Sequence, residues 1–294
     1  MAKIGFVKLT RLLPGAAMAA GLLFTAPAVA ANLSFSDFSG AASALSLNRN
    51  AAITTDMLGR DVLRLTPAAE GQAGSSFSLT PVLLTGTYAF STRFTFNINT
   101  TGGIAPADGF VFVIQPNSSS VGTGGSGLGI AGIANSFGVE FDTFPAFGND
   151  PAQQHIAIDF GEVVNSDGDI LSAATAELPG DILSSGTDLS AWIDYDGTNV
   201  EVRLASALAP RPLAALLTYQ VDLAAVIGGG SAYVGFTAGT GSGYENHDIV
   251  SWQFNDSFAP IAGAVPEPAT WAMSIVGFGL IGAMGRRRRN VATA

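Results

Sequence analysis

The chain has 294 residues, 48% of them hydrophobic and only 12% charged, which excludes a disordered polymer. It has no Cys, so disulfides, thiolate metal sites and cysteine nucleophiles are excluded. Positions 31–265 carry six Arg and no Lys against 22 acids, a balance that excludes a nucleic-acid backbone as partner.

Residues 1–30 read as a signal peptide. Lys3, Lys8 and Arg11 precede an apolar run over 12–24, and Ala28, Val29 and Ala30 offer small residues to signal peptidase. Residues 31–258 then read as one β-rich domain. The even spacing of Phe90, Phe94, Phe96 and Ile98 marks one face of a strand over 88–98. Residues 109–114 are apolar on both faces, as in a strand buried within a sandwich. Apolar and acidic residues alternate over 136–144, and 155–160 follows as a further strand. Segments 192–195 and 200–204 flank Asp196, Gly197, Thr198 and Asn199 and read as a hairpin. Strands at 233–238 and 249–254 close the domain. Residues 213–217 make at most a single helical turn, and no segment has the length and 3.6 periodicity of a solid helix. Many short strands separated by turn signals predict an all-β sandwich or jelly roll.

The chemistry gathers in 139–158. Glu140 and Asp142 are two apart on a strand, so their carboxylates share a face. Asp150 and His155 follow a loop rich in Pro and Gly that can fold back over them. Three carboxylates and an imidazole within 16 residues suit one or two divalent cations. Oxygen ligands favour Ca²⁺, and a His beside carboxylates suits Mn²⁺ or another transition metal. Spacing alone leaves open a solvated acidic loop with a surface His. The acidic turn at 165–169 is no EF-hand loop, because Ile170 and Ala176 stand where Gly and Glu are required.

Residues 259–265 read as a linker and 266–294 as a sorting tail. Pro266, Glu267 and Pro268 precede 17 uncharged residues, 269–285, and then Arg286 to Arg289. As a helix that run spans about 26 Å, at the short limit for a bilayer, so a single transmembrane segment is expected. The Arg cluster places its end in the cytoplasm. The tail resembles the PEP-CTERM sorting signal of Gram-negative bacteria in Pro266, Glu267, Pro268, Trp271, Ala272, Met273, Gly277, Phe278, Gly279 and the Arg cluster. The resemblance implies recognition by an exosortase and removal of the tail. It implies export across the inner membrane to the cell envelope or beyond, with a transient membrane anchor, in an organism that makes exopolysaccharide.

Across most of 33–256 the chain resembles the legume-type (L-type) lectin family. The blocks that carry this are 73–82 with 90–96, 107–114, the Gly-rich 124–136, 139–143, 233–241 and 247–254. The resemblance implies a concanavalin A-like jelly roll that binds carbohydrate with Ca²⁺ and Mn²⁺. By it, Asp108 accepts hydrogen bonds from sugar hydroxyls and follows a cis peptide after Ala107. A backbone N–H of the 124–129 loop, at Gly125 or Gly127, faces the sugar. Glu140, Asp142, Asp150 and His155 match the transition-metal ligands, and Asp142 and Asp150 reach Ca²⁺ with the backbone carbonyl of Phe144. The chain departs from the family at Ala146, where an Asn that binds Ca²⁺ and sugar is usual. Asn149 is the candidate to replace it in both roles. Residues 241–247 form the loop where the family varies specificity, with Tyr244 a candidate to stack on a sugar. Many relatives pair sheet to sheet, which implies a homo-oligomer.

These observations together predict an exported, metal-dependent carbohydrate-binding protein acting on extracellular or envelope polysaccharide. A structural matrix protein with a degenerate lectin site is the alternative that Ala146 supports. A glycoside hydrolase on this sandwich would need Glu-x-Asp-x-x-Glu, and Pro145 occupies the second Glu position. No enzyme and no catalytic residue is expected.

Overall fold

Phe94 and Phe96 leave their strand toward the main core, and Arg93 and Thr95 leave it on the other side. The same alternation along the chain builds two layers with an apolar seam between them. The computed structural model describes residues 32–84, 88–122, 127–144, 150–166 and 168–263. Its first strands are β1 (Leu33–Phe35), β2 (Asn48–Arg49), β3 (Ala52–Thr55), β4 (Asp61–Thr66), β5 (Ala73–Phe77), β6 (Val82–Leu83), β7 (Phe90–Gly103) and β8 (Gly109–Gln115). They are followed by β9 (Phe137–Asp142), β10 (His155–Asp159), β11 (Ala174–Glu177), β12 (Leu189–Tyr195), β13 (Asn199–Ser206), β14 (Leu217–Gln220), β15 (Ser231–Gly239) and β16 (Gly243–Asn255).

The first sheet runs β14-β13-β12-β7-β16-β4-β3, with β1 also paired to β16. The second runs β11-β10-β9-β8-β15-β5-β2, with β6 paired to β15. Strands far apart in sequence lie side by side, such as β7 with β16 and β5 with β15, as in a jelly-roll sandwich. Phe94 sits in the seam, where Phe141 and Phe236 of the second sheet meet it edge-on at 5.5 and 5.1 Å between ring centroids. Phe110 and Phe141 stack beside it at 4.9 Å. Gly74 on β5 is required by close approach, because a Cβ there would lie 1.8 Å from the Leu65 carbonyl oxygen.

β8 is apolar on both faces because both are covered. Phe110, Phe112 and Ile114 enter the main core, while Val111 and Val113 join Phe77, Leu128, Ile130 and Ile170 in a smaller cluster on the outer face of the second sheet. The hairpin of β12 and β13 pairs Tyr195 with Val200. Its turn is held by Asp196 Oδ1, which accepts from the Thr198 and Asn199 N–H groups at 2.8 Å each.

The structure corrects three expectations. The helical turn lies not at 213–217 but at α1 (Leu223–Ile227). Asp222 caps it by accepting from the Ala225 N–H at 3.0 Å, and Gly228 ends it with φ 70°. Residues 241–247 are not a loop, since β16 begins at Gly243 and pairs Tyr244 with Gly102. The transmembrane segment is withdrawn, and with it the membrane anchor. No helix among the described residues is long and apolar enough to cross a membrane, and 269–285 lie outside them.

Candidate metal and carbohydrate site

Antiparallel pairing of β9 with β10 sets the candidate metal ligands. Asp142 faces His155 and Glu140 faces Ala157, so with period-two alternation all three ligand side chains leave the outer face of the second sheet. Their ligand atoms lie within 4.8 Å of one another, and His155 Nε2 is 4.0 Å from Glu140 Oε2. The cluster is sealed: Glu140 is 2%, Asp142 4% and His155 0% exposed. That burial rejects the solvated acidic loop with a surface His.

Burial first, then the neighbouring Asp159 and Asp142, pushes the Glu140 carboxyl well above its usual range. Burial and Asp150 do the same to Asp142, against the Phe144 N–H that donates to its Oδ1 at 2.7 Å. Burial lowers His155, which keeps the imidazole neutral. His155 Nδ1 lies 3.2 Å from the Gln153 carbonyl oxygen, which fixes the proton there and leaves Nε2 with a free lone pair. That Nε2 is buried with no hydrogen-bond partner. Two buried acids and an orphaned imidazole nitrogen at these distances fit a divalent cation, whose charge would replace the protons these buried acids otherwise favour.

Asp159, two residues beyond Ala157 on β10, belongs to the same cluster and was missed in the sequence. It is fully buried, and neither of its oxygens makes a well-formed hydrogen bond, although Glu140 and Ser172 stand close enough to oppose part of the effect of burial. Burial raises it to about 6, and it acts strongly on Glu140. Ser172 Oγ donates to Glu140 Oε2 at 3.3 Å.

Asp108 stands at the end of β8 nearest this cluster. Gly109 pairs with Asp142, the Ala107–Asp108 peptide is cis, and the Thr143 N–H donates to the Asp108 carbonyl at 3.0 Å. The carboxyl lies beside Gly241, where a Cβ would come within 3.7 Å of both oxygens. Its Oδ2 is buried without a partner, and burial lifts its pKa to about 6.

Beneath Asp108 lies a polar group that the sequence reading also missed. Glu245 and His247 of β16 are fully buried, with His247 Nε2 3.5 Å from Glu245 Oε1. Thr143 Oγ1 donates to that same Glu245 oxygen, and Thr66 Oγ1 meets His247 Nδ1. Thr143 therefore ties the Asp108 backbone, the metal-ligand strand and the first sheet together.

The remaining candidates are placed as follows. Asp150 is partly exposed, and its charge acts on Glu140, Asp142 and His155. Gly127 opens a turn whose carbonyl accepts from Ile130 and Ala131, and a Cβ on it would meet that of Ala131 at 2.4 Å. The Tyr244 ring lies over Gly102, at 2.3 Å from where a Cβ would stand. Gly125, Ala146, Asn149 and the motif Pro266, Glu267 and Pro268 lie outside the described residues.

The legume lectin domain model matches residues 30–267. The chain belongs to the legume lectin domain family. A second model, the PEP-CTERM protein-sorting motif, matches 264–289. A lectin-like protein of Arabidopsis thaliana is 34% identical over 188 residues, 58% of this chain and 68% of that protein. The lectin alpha chain of Lablab purpureus is 33% identical over 231 residues, 71% of this chain and 76% of that one. An Arabidopsis protein named as a probable L-type lectin-domain containing receptor kinase is 30% identical over 231 residues, and this lectin chain spans 31% of its length. Among solved structures, the Bauhinia forficata lectin in complex with GalNAc superposes with a TM-score of 0.65 at 25% identity, over 77% of this chain and 98% of that one. Basic winged bean lectin with Tn-antigen gives 0.63 at 30% identity, with the same coverage. Legume lectins bind carbohydrate without catalysis, so this chain is a lectin-like carbohydrate-binding protein rather than an enzyme.

Proposed function

We infer that this lectin binds an extracellular or envelope polysaccharide through Asp108, under the control of cations held by Glu140, Asp142, Asp150 and His155. The observation that carries the reading is the buried Glu140, Asp142 and His155 trio, joined by β-pairing to the strand that presents Asp108. Asp108 offers sugar hydroxyls a carboxylate acceptor with an unused buried oxygen, and such charge-assisted bonds are strong. Glu140, Asp142 and His155 would hold the cation, whose charge would favour the ionised form of Asp142 that accepts from the Phe144 N–H at Oδ1. Thr143, next to both, then keeps the Asp108 loop in place. Ca²⁺ with Mn²⁺ is the proposed pair, with the Phe144 carbonyl and Asn149 completing the first ion. Gly125 or Gly127 supplies the backbone N–H to the sugar, and Tyr244 lines its edge.

The sorting motif supports an extracytoplasmic or envelope location and processing by an exosortase. Cleavage by signal peptidase after Ala30 and sheet-to-sheet pairing of two copies belong to the same proposal. A glycan array, probed with Ca²⁺ and Mn²⁺ and again with chelator, tests it. Glycans bound only with metal support the reading. An array blank under both conditions leaves the structural matrix protein, which Ala146 favours.

A further inference from the structure

We propose that the outer face of the first sheet holds a site for a protonated oxyanion of the phosphate class, framed by Arg93, Arg203, Arg211, Trp192 and Asp194. Cross-strand pairing sets Arg203, Trp192, Arg93 and Gln253 in one row over β13, β12, β7 and β16. Their neighbours Ala191 and Ile193 enter the main core, so this row faces away from it. The segment 207–216 and the stretch after β16 close over the row. Arg211 Nη2 donates to Asp194 Oδ2 at 2.6 Å, and the Ala259 N–H donates to Ser91 Oγ at 3.1 Å.

The charge placement is unusual for so acidic a domain. Residues 32–263 contain six Arg, and three of them meet here. Of the others, Arg60 pairs with Asp56 and Asp188, Arg64 pairs with Asp248, and Arg49 is exposed. Arg93 has no carboxylate partner among the described residues. It lies 5.4 Å over the Trp192 ring and donates to Ser190 Oγ at 3.2 Å. Arg203 is buried beyond nine-tenths; it bonds Glu201 at 2.7 Å and stands 3.6 Å from Asp194.

The site is left with unused donors. Arg93 Nε, Arg203 Nε and Nη1, Arg211 Nη1 and the fully buried Trp192 Nε1 have no hydrogen-bond acceptor among the described residues. Buried N–H groups are almost always paired, so five orphans on one face call for an acceptor. Guanidinium forks match the oxygens of a tetrahedral oxyanion. One further atom sets the class. Asp194 Oδ1 is also buried and unpaired, and it is an acceptor. Sulfate carries no proton at neutral pH and would meet this oxygen with pure repulsion. Phosphate keeps a P–O–H that donates to it. Ordered water could also satisfy both kinds of orphan, but water leaves the Arg93 charge without a counterion.

Melting of the full chain in phosphate and in sulfate, at equal ionic strength, tests the site. Both anions stabilise proteins non-specifically by exclusion, so the difference between them is the readout. Phosphate should raise the melting temperature several degrees more than sulfate. Arg93→Gln should erase that excess, and Asp194→Asn should let sulfate match phosphate. If Asp194→Asn fails to fold, ³¹P line broadening of inorganic phosphate by wild type and by Arg93→Gln decides the matter, since only wild type should broaden it. Glucose 6-phosphate in place of inorganic phosphate separates a site for a phosphorylated glycan from one for the free ion. Equal effects of phosphate and sulfate on wild type, or an excess that survives Arg93→Gln, would overturn the proposal and leave ordered water as the partner of the orphaned groups.

Discussion

Asp142 and His155 stand directly opposite each other on β9 and β10, on the face of the second sheet turned away from the main core. The register of the two strands brings them together. Glu140, one step along the same face, completes the trio, and Gly109 on the other side of Asp142 delivers Asp108. The candidate metal ligands and Asp108 are therefore two parts of one ladder.

Without metal, the buried acids should give the protein an inverted pH response. Asp159 is held at about 6 by burial, above the unfolded value near 4. The fold favours its protonated form, so its contribution is full below about pH 4 and is lost as pH rises through about 6. The loss is on the order of 2–3 kcal/mol. Asp108, also raised to about 6 by burial, acts in the same direction. Urea unfolding of chelated protein at pH 4 to 7 should show wild type losing stability relative to Asp159→Asn over this range. A constant difference between the two would contradict the shift.

Asp108→Asn should separate sugar from metal. The amide keeps the shape but trades one acceptor for a donor and removes the charge. Glycan binding should fall by at least tenfold, while stabilisation by added cation stays as in wild type. A lost metal response would place Asp108 among the ligands instead.

Phe94→Ala should cost about 3–5 kcal/mol, as deletion of a ring packed on all sides does. In a domain of this size that lowers the melting temperature by roughly 10 °C. Gly74→Ala should also destabilise, because its Cβ would overlap the Leu65 carbonyl and force β5 away from β4. A melting temperature unchanged in either variant would show that the seam is looser than described.

The sequence made the metal trio legible because its two signals agreed. Glu140 and Asp142 share strand parity, and His155 follows at the distance one antiparallel return requires. Asp159 lies inside the strand expected at 155–160 and shares its parity with His155, so alternation already put it on the ligand face; it was passed over because the family resemblance assigns that position no ligand role. Glu245 and His247 were hidden by the Gly-rich stretch before them, which reads as loop until pairing with β7 shows that strand β16 has begun at Gly243. The Arg row was legible only in part, because the expected hairpin sets Trp192 against Arg203, whereas Arg93 comes from a distant strand and joins them only through register. Helix α1 has five residues, too few for a period, although Asp222 and Gly228 at its ends were readable caps.

The most direct measurement is metal content with melting on wild type and Asp142→Ala. A cation that binds only the folded state stabilises it by about 2.7 kcal/mol at a hundredfold excess over its dissociation constant. Purified wild type should carry bound divalent metal, lose several degrees of melting temperature on chelation and regain them with Ca²⁺ and Mn²⁺. Asp142→Ala should carry little metal and respond to neither treatment. Wild type free of metal, with a melting temperature that neither cation raises, would contradict the account.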